Sequence, residues 1–325
     1  MPIHVIAQGA SILAPMMGAS DNPGFLHLCK KYGCEYIVLP MIFLDTIVSN
    51  SSYIDDILSS ILDNSLNFNF KPLIFQIIGN KPEYIKIVAD TLSSYDLDGI
   101  NLNLGCPSGK VIKLGAGAGM LKNVEKRNSM IDACLKAFQA PFSVKIRLLG
   151  EQKINLEETI RFCKYKKKKN IDWVGIHART LGQGYRGKAN WKILKTINNE
   201  VDLFLVGNGD IQNSIKGREL IDNGYCNAFM IGRAAMKDPR CFKIGQEKCE
   251  YKTILDSIRL LEEMLNFLEK LEHARAKKAI TLHQIRRWAI FFSKGVREGR
   301  NFRIRIMKAK TIHQIQQIML DVKDI

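Results

Sequence analysis

Much is missing from this sequence, and each absence excludes something. Its eight cysteines, at positions 29, 34, 106, 134, 163, 226, 241 and 249, form no C-x-x-C pair and have no His-x-x-x-His nearby. That argues against a structural zinc site and against a thiol redox motif. No apolar run approaches the ~18 residues of a membrane span. Residues 1–10 lack the cationic start and long apolar centre of a secretion signal, so a cytoplasmic protein is expected. The glycines at 115, 117 and 119 begin a G-x-G pattern, but Met120 breaks it and no strand-like run precedes them. No Gly-Lys-Ser/Thr follows, so the dinucleotide and P-loop fingerprints both fail. This stretch reads as a mobile loop. No internal repeat, low-complexity tract or Pro/Gly/Ser linker is visible.

Acidic residues are also scarce. The formal charge is +16, and residues 237–325 hold 20 Lys/Arg against 11 Asp/Glu. Between His273 and Lys310 there are twelve basic residues and one acidic residue, Glu298. A field of that sign suits a polyanion, nucleic acid above all. The alternative is a solvated basic helix face.

What is present is a regular alternation. Eight apolar runs (11–17, 36–41, 73–78, 99–104, 142–146, 173–177, 203–207 and 228–231) are each followed by a helical pattern within about 240 residues. That count and size predict a (β/α)8 TIM barrel over residues 1–240, with a doubly wound sheet as the runner-up. After Pro239 the strands stop. Helices are expected over 252–271, 282–296 and 311–322, a small basic helical bundle over 241–325. In the second of these, Arg286 and Arg297 share nearly one helical angle.

A barrel keeps its chemistry where its strands end. There the sequence places Pro15, Met16 and Met17; Gln76; Asn103 and Cys106; Lys145 and Arg147; His177 and Arg179; Asn208, Gly209 and Asp210; and Gly232 and Arg233. Taken singly, Gln76 could be a satisfied core amide, Lys145 a paired structural cation and His177 a core histidine. Their joint placement favours a site. The glycines with Arg233 suit a phosphate, and a central lysine suits a flavin ring. The run Lys166–Lys169 reads as a solvated helix end.

Six motifs then resemble one family, the tRNA-dihydrouridine synthases: LAPMMG at 13–18, NLNLGCP at 101–107, KIR at 145–147, HARTLGQGYRGKANW at 177–191, VGNGDI at 206–211 and IGRAAM at 231–236. The resemblance runs from about Ile12 to Phe242 and continues more weakly into the C-terminal helices. It implies FMN held by Pro15, Met16, Met17, Gln76, Lys145, His177, Asn208, Gly209, Asp210, Gly232 and Arg233, with NADPH as reductant. It also implies Cys106 as proton donor and Asn103 on the uracil edge. The bundle, with His273, Ala274, Arg275 and the stretch Gln284–Trp288, is most similar to the bacterial C-type subgroup, which modifies uridine 16 of the D-loop. Pro40-Met41 after the second strand departs from the family's usual Glu-Met.

The expected reaction is the reduction of uridine to dihydrouridine in tRNA, with a bound flavin giving hydride to one carbon and Cys106 giving a proton to the other. Thiols in general are mostly protonated at neutral pH, as an acid should be. The base would have to be extruded from folded tRNA. Arg147, Arg179, Tyr185, Arg275, Arg286 and Arg287 are the candidates for meeting RNA, the D-arm and D-loop being the expected partner. Tyr185 would either stack on a base or pack on Trp191. A monomer without protein partners is expected. The competing readings are a flavin dehydrogenase of small molecules, an aldolase using Lys145 as Schiff base, and a non-catalytic tRNA-binding barrel.

Overall fold

The computed structural model describes residues 5–62, 68–244, 252–271 and 280–323. The strands are β1 (Ser11–Leu13), β2 (Tyr36–Val38), β3 (Ile42–Phe43), β4 (Leu73–Ile78), β5 (Gly99–Leu104), β6 (Phe142–Leu148), β7 (Val174–Thr180), β8 (Leu205–Asn208) and β9 (Ala228–Ile231). Every pairing is parallel, and β1 pairs with both β2 and β9 while β2 pairs with β4. The sheet therefore closes on itself as a TIM barrel. Its second stave is split: β2 and β3 both run along β4, separated by Leu39, Pro40 and Met41. Pro40 has no N–H to give the ladder, which is why the expected run 36–41 breaks there.

Around the barrel lie α1 (Pro23–Lys31), α2 (Leu44–Ser49), α3 (Ser52–Leu58), α4 (Ile85–Leu92), α5 (Gly109–Lys113), α6 (Val124–Ala137), α7 (Leu156–Lys168), α8 (Trp191–Glu200), α9 (Ser214–Asp222) and α10 (Arg233–Lys237). Several start on an asparagine cap: Asn22, Asn123, Asn155, Asn190 and Asn213 each accept a hydrogen bond from the backbone of the first turn. Such caps satisfy N–H groups that have no partner inside the helix.

Alternation along each strand makes two cores from one sheet. One set of side chains packs outward against the helices. The other set, including Ile12, Ile74, Trp173, Val206, Ala228 and Met230, fills the lower barrel. Higher on the same inward columns the residues turn polar: Ile74 gives way to Gln76 and Val206 to Asn208. An apolar plug thus carries a polar floor at the C-terminal ends of the strands.

The C-terminal helices are α11 (Ile254–Glu269), α12 (Leu282–Phe292), α13 (Gly299–Lys308) and α14 (Ile312–Lys323). Three match the expected positions and α13 is additional. The long second helix does not form. α12 ends at Phe292 and Gly295 takes φ +81°, so Arg297 leaves the helix of Arg286. The bundle shares one apolar core with the barrel's outer helices, and Trp288 stacks on Phe25 of α1 with ring centroids 4.6 Å apart. Arg275, His273 and Ala274 lie outside the described residues. Among the described residues no helix is long and apolar enough to cross a membrane.

The solvated helix end expected over Lys166–Lys169 holds for Lys167, Lys168 and Lys169, which are exposed, and fails at Lys166. Lys166 is fully buried, with its ammonium 4.6 Å from the Phe162 ring and 4.4 Å from Tyr165, and Arg127 covers Phe162 as well. The Lys166 Nζ has no hydrogen-bond partner. Burial first, and then the Arg127 charge, push its pKa down to about 6. The folded chain then binds fewer protons than the unfolded one from about pH 6 up to the ordinary lysine value of 10.5. Stability should therefore rise with pH across that window. Lys166→Met should raise the melting temperature at pH 7 by about 2–4 °C and flatten the pH slope, read by thermal denaturation at pH 6, 7.5 and 9.

Candidate active site

The polar floor opens into a cavity of about 680 Å³ at the C-terminal mouth of the barrel. Its walls include Ala14, Pro15, Met16, Met17, Gln76, Asn103, Cys106, Lys145, Arg147, His177, Tyr185, Asn208, Gly209, Asp210, Gly232 and Arg233. The residues anticipated at separate strand ends are therefore brought together, apart from Arg179, which lies behind the wall. The strand register explains the assembly: Gln76 pairs with Asn101, Asn103 with Lys145, and His177 with Asn208. Neighbouring inward positions stack into layers.

Cys106 follows β5 by two residues and is held on three sides. Its N–H donates to Asn103 Oδ1 at 2.9 Å, and its carbonyl accepts from Ala118 N at 3.2 Å. The Gly-rich stretch supplies that brace. Far from being loose, it runs through α5 into a short 3-10 helix, Gly117–Lys122, with Ala116, Ala118 and Met120 buried. Gly117 takes φ +55°, and a Cβ there would stand 3.1 Å from Cys106 Cβ and 2.8 Å from Val111. Only glycine lets this segment close under the cysteine.

Lys145 stands on β6 beside Asn103 of β5, with part of its side chain open to the cavity and no ion-pair partner among the described residues. Burial, then the neighbouring Arg147 charge, push its pKa down to about 7, with Cys106 working the other way. His177 is pushed down to about 2 by burial and then by Lys145, Arg147, Arg179 and Arg233. It is thus neutral. Arg179 Nη1 lies 3.2 Å from His177 Nε2 and can only donate, so the imidazole proton resides on Nδ1.

Three residues expected to meet the substrate are instead committed to the protein. Arg147 is 2% exposed and donates to the carbonyls of Gly105 (2.9 Å), Gly184 (2.7 Å) and Thr180 (3.3 Å), tying the loop after β5 to the loop after β7. Arg179, also 2% exposed, pairs with Asp210 at 2.5 Å and donates to the Gly187 carbonyl at 2.6 Å. Both long stems fit only because the strands end there, leaving backbone carbonyls free to receive the guanidinium. Arg286 donates to the Ala309 carbonyl and so joins α12 to the end of α13. Asn103 is not free to read a base with both ends of its amide: its oxygen already accepts from Gly105 N and Cys106 N. Its Nδ2 donates to Gln76 Oε1 at 2.9 Å and lies 3.4 Å from Met41 Sδ.

Tyr185 is well exposed and does not pack on Trp191, whose indole donates to Gly209 O. It lies instead between two guanidinium groups, Arg147 at 5.4 Å and Arg233 at 4.8 Å. Asp210 bridges Arg179 and Arg233. Burial alone would raise its carboxyl, but the Arg179 hydrogen bond, the Ala189 N–H and the two positive charges hold it below the ordinary carboxylate range. Gly209 takes φ +123°, and a Cβ there would press to 2.9 Å from His177 Cδ2.

The bundle adds residues that sequence reasoning did not assign to the cavity. Lys294, beyond the end of α12, lines the cavity rim together with Lys237. Arg287 reaches the Met17 carbonyl at 3.4 Å. Lys294 sits in the basic 273–310 stretch, but its place on the cavity rim follows only from docking α12 on the barrel.

The wall has the chemistry of an anion site: three lysines, Lys145, Lys237 and Lys294, with no ion-pair partner among the described residues, a guanidinium held by a single carboxylate, a neutral imidazole and amide N–H groups. These fit a flavin mononucleotide, which combines a phosphate with a ring carrying carbonyl acceptors.

The chain is similar to known proteins. The family model for dihydrouridine synthase matches residues 12–324. A protein of Pseudomonas aeruginosa called tRNA-dihydrouridine synthase B is 30% identical over 71% of this chain and 67% of its own. A probable tRNA-dihydrouridine synthase of Aquifex aeolicus is 27% identical over 98% of this chain and 97% of its own. Among solved structures, a variant of NCR from Zymomonas mobilis shares the fold with a TM-score of 0.51 at 13% identity, over 74% of this chain and 89% of that one. Histamine dehydrogenase from Rhizobium sp. 4-9 does so with a TM-score of 0.53 at 10% identity, over 80% of this chain, which spans about half of that longer protein. The strand-end residues, the barrel that gathers them and these relatives lead to one conclusion: the chain belongs to the dihydrouridine synthase family.

Proposed function

We propose that the protein reduces uridine to 5,6-dihydrouridine in tRNA, with FMN in the barrel mouth, NADPH as reductant and Cys106 as proton donor. The observation that carries this reading is that Cys106, on the loop after β5, and Lys145, on the neighbouring strand β6, line one cavity together with Gln76, His177 and Arg233. Pro15, Met16, Met17, Gln76, Lys145, His177, Asn208, Gly209, Asp210, Gly232 and Arg233 would hold the flavin, which when bound supplies the hydride. Lys145 presents positive charge to the ring. Gln76 and Asn103 present N–H donors to pyrimidine carbonyls. Cys106 keeps its thiol hydrogen until the carbon facing it takes it up, so that one hydride and one proton saturate the double bond.

The tRNA would approach over the rim made by Arg287, Lys237 and Lys294, with Tyr185 beside the opening. Exposed Arg297, Arg300, Lys308 and Lys310 extend the same positive surface along the bundle. Affinity from such phosphate contacts falls steeply with salt. The bundle's resemblance to the C-type subgroup favours uridine 16, whereas one relative carries the B designation.

The test is to purify the protein, record its visible absorption with added FMN, and incubate it with NADPH and tRNA from cells lacking the gene. A flavin spectrum and new dihydrouridine by mass spectrometry are expected, at position 16 alone for the C-type assignment. A protein that takes up no FMN and leaves uridine unreduced would overturn the reading.

A further inference from the structure

Beneath Cys106 lies a chain of side chains that crosses three strands, of which the proposed chemistry uses Gln76 and Asn103 but not Asn101 or Ser143. Ser143 Oγ donates to the Ile100 carbonyl at 3.1 Å. Asn101 Nδ2 donates to Ser143 Oγ at 2.9 Å, and Gln76 Nε2 donates to Asn101 Oδ1 at 2.7 Å. Asn103 Nδ2 donates to Gln76 Oε1 at 2.9 Å, and Asn103 Oδ1 accepts from the N–H groups of Gly105 and Cys106. Gln76 and Asn101 are fully buried, and Ser143 is 1% exposed.

The chain has only one self-consistent direction. At one end a backbone carbonyl can only accept, so Ser143 must donate to it and its oxygen must receive Asn101. At the other end the N–H of Cys106 can only donate, so Asn103 must turn its oxygen that way. Both ends demand the same orientation of the three amides between them, Asn101, Gln76 and Asn103. Gln76 and Asn103 each then have one N–H not used in the chain, and both residues line the cavity, the N–H of Asn103 resting on the weak acceptor Met41 Sδ. A reversed Gln76 would face Asn103 nitrogen to nitrogen and Asn101 oxygen to oxygen, leaving buried polar atoms unmatched.

We propose that Asn101 is a positioning residue for the reduction step: as the acceptor for Gln76, it fixes which ends of the Gln76 and Asn103 amides face the cavity, and through Asn103 the backbone that carries Cys106. The site then requires a ligand that offers acceptors at this floor, as pyrimidine carbonyls do. This rests on the functional reading above.

The distinguishing property of Asn101 is its oxygen, so two substitutions separate orientation from bulk. Asn101→Leu fills similar space but offers Gln76 no acceptor. Asn101→Asp keeps that acceptor, and the Ser143 hydroxyl can turn to meet it. The readout is single-turnover reoxidation of NADPH-reduced protein by native tRNA, beside reduction of the bound flavin by NADPH. Asn101→Leu is expected to slow the tRNA step about 10–100-fold, with flavin affinity, to which Gln76 is one of eleven contributors, and the NADPH step each within about threefold. Asn101→Asp is expected to return the tRNA step to within about threefold of the unmodified protein. A merely structural role would lower the melting temperature and slow both steps together, and would not be rescued by aspartate. The proposal is overturned if Asn101→Leu reoxidises at the unmodified rate, slows both steps equally, or is matched by Asn101→Asp. Should Asn101→Leu fail to fold, Ser143→Ala removes the anchor instead. A selective loss of about threefold or more in its tRNA step supports the proposal, and no loss overturns it. If the unmodified protein itself neither binds flavin nor reduces tRNA, the functional reading has failed, and that is visible before any variant is made.

Discussion

Cys106→Ala should keep FMN and bind tRNA within about threefold of the unmodified protein, yet reduce uridine about 10²–10⁴-fold more slowly, the span usual for losing a positioned general acid. The geometry makes this a clean experiment. The loop at 105–107 is held by backbone groups of Gly105 and Cys106 bonded to Asn103 and Ala118, so removing the sulfur leaves those bonds in place. Cys106 is partly exposed in the cavity wall, and so its truncation makes no closed core cavity. Two measurements check the expectation: flavin absorbance after gel filtration, and the rate at which tRNA reoxidises the NADPH-reduced protein. Undiminished turnover would mean that solvent or another group delivers the proton.

Lys145→Met should weaken FMN binding about 10–100-fold and remove a pH dependence that the unmodified protein shows. Without ligand, the Lys145 ammonium is pushed down to about 7 by burial and by Arg147. An anionic or electron-rich ligand beside it favours the charged form, so binding takes up a proton. Affinity for FMN should therefore be greatest below pH 7 as far as this group is concerned. It should fall as pH rises above 7, by up to about tenfold per unit, until the bound-state value is passed. Fluorescence titration of FMN between pH 7 and 9 reads this directly. The methionine variant, which has no proton to take up, should give a nearly flat line. Parallel slopes for the two proteins would remove Lys145 from the binding site. Thermal stability of the flavin-free protein carries the opposite sign: the lowered lysine value makes that fold more stable as pH rises from about 7 toward the ordinary lysine range.

The two variants also separate the two halves of the site. Loss at Cys106 affects the step in which tRNA is consumed, and loss at Lys145 affects whether the flavin is held at all.

How much of this was legible before any coordinates can be judged residue by residue. The strands over 73–78, 99–104 and 228–231 were read to the residue, because apolar runs bounded by Gly, Pro and polar turns mark a buried parallel strand. The second stave was read as one strand and is two, since no local rule says that a chain interrupted by Pro40 will rejoin the same neighbour. α13 was missed because its apolar positions, Phe302 and Ile306, are sparse among arginines, and only the bundle's core gives them a partner. The Gly-rich stretch was misread as mobile because glycine signals both freedom and close approach; at Gly117 it is close approach to Cys106.

The arginines show the same limit more sharply. Arg147 and Arg179 stand at strand ends, as a substrate-binding residue would, and their position was anticipated correctly. Whether such a guanidinium faces the cavity or turns onto backbone carbonyls depends on the loops after β5 and β7, which are distant in sequence. Lys166 lies in a run of four lysines, yet it is buried because that face of α7 meets α6.

By itself, then, the order of residues determined the barrel, the strand ends that carry its chemistry, the cysteine on its loop and the basic character of the C-terminal helices. Those follow from periodicity, turn chemistry and charge, which act over a few residues at a time. Only the tertiary structure decided which polar side chains face the cavity and which hold its walls, that Lys294 and Arg287 reach its rim, and that Asn101 lies in line beneath Cys106. A hydrogen bond is satisfied within about 3 Å, and residues dozens of positions apart come that close only when the sheet has closed.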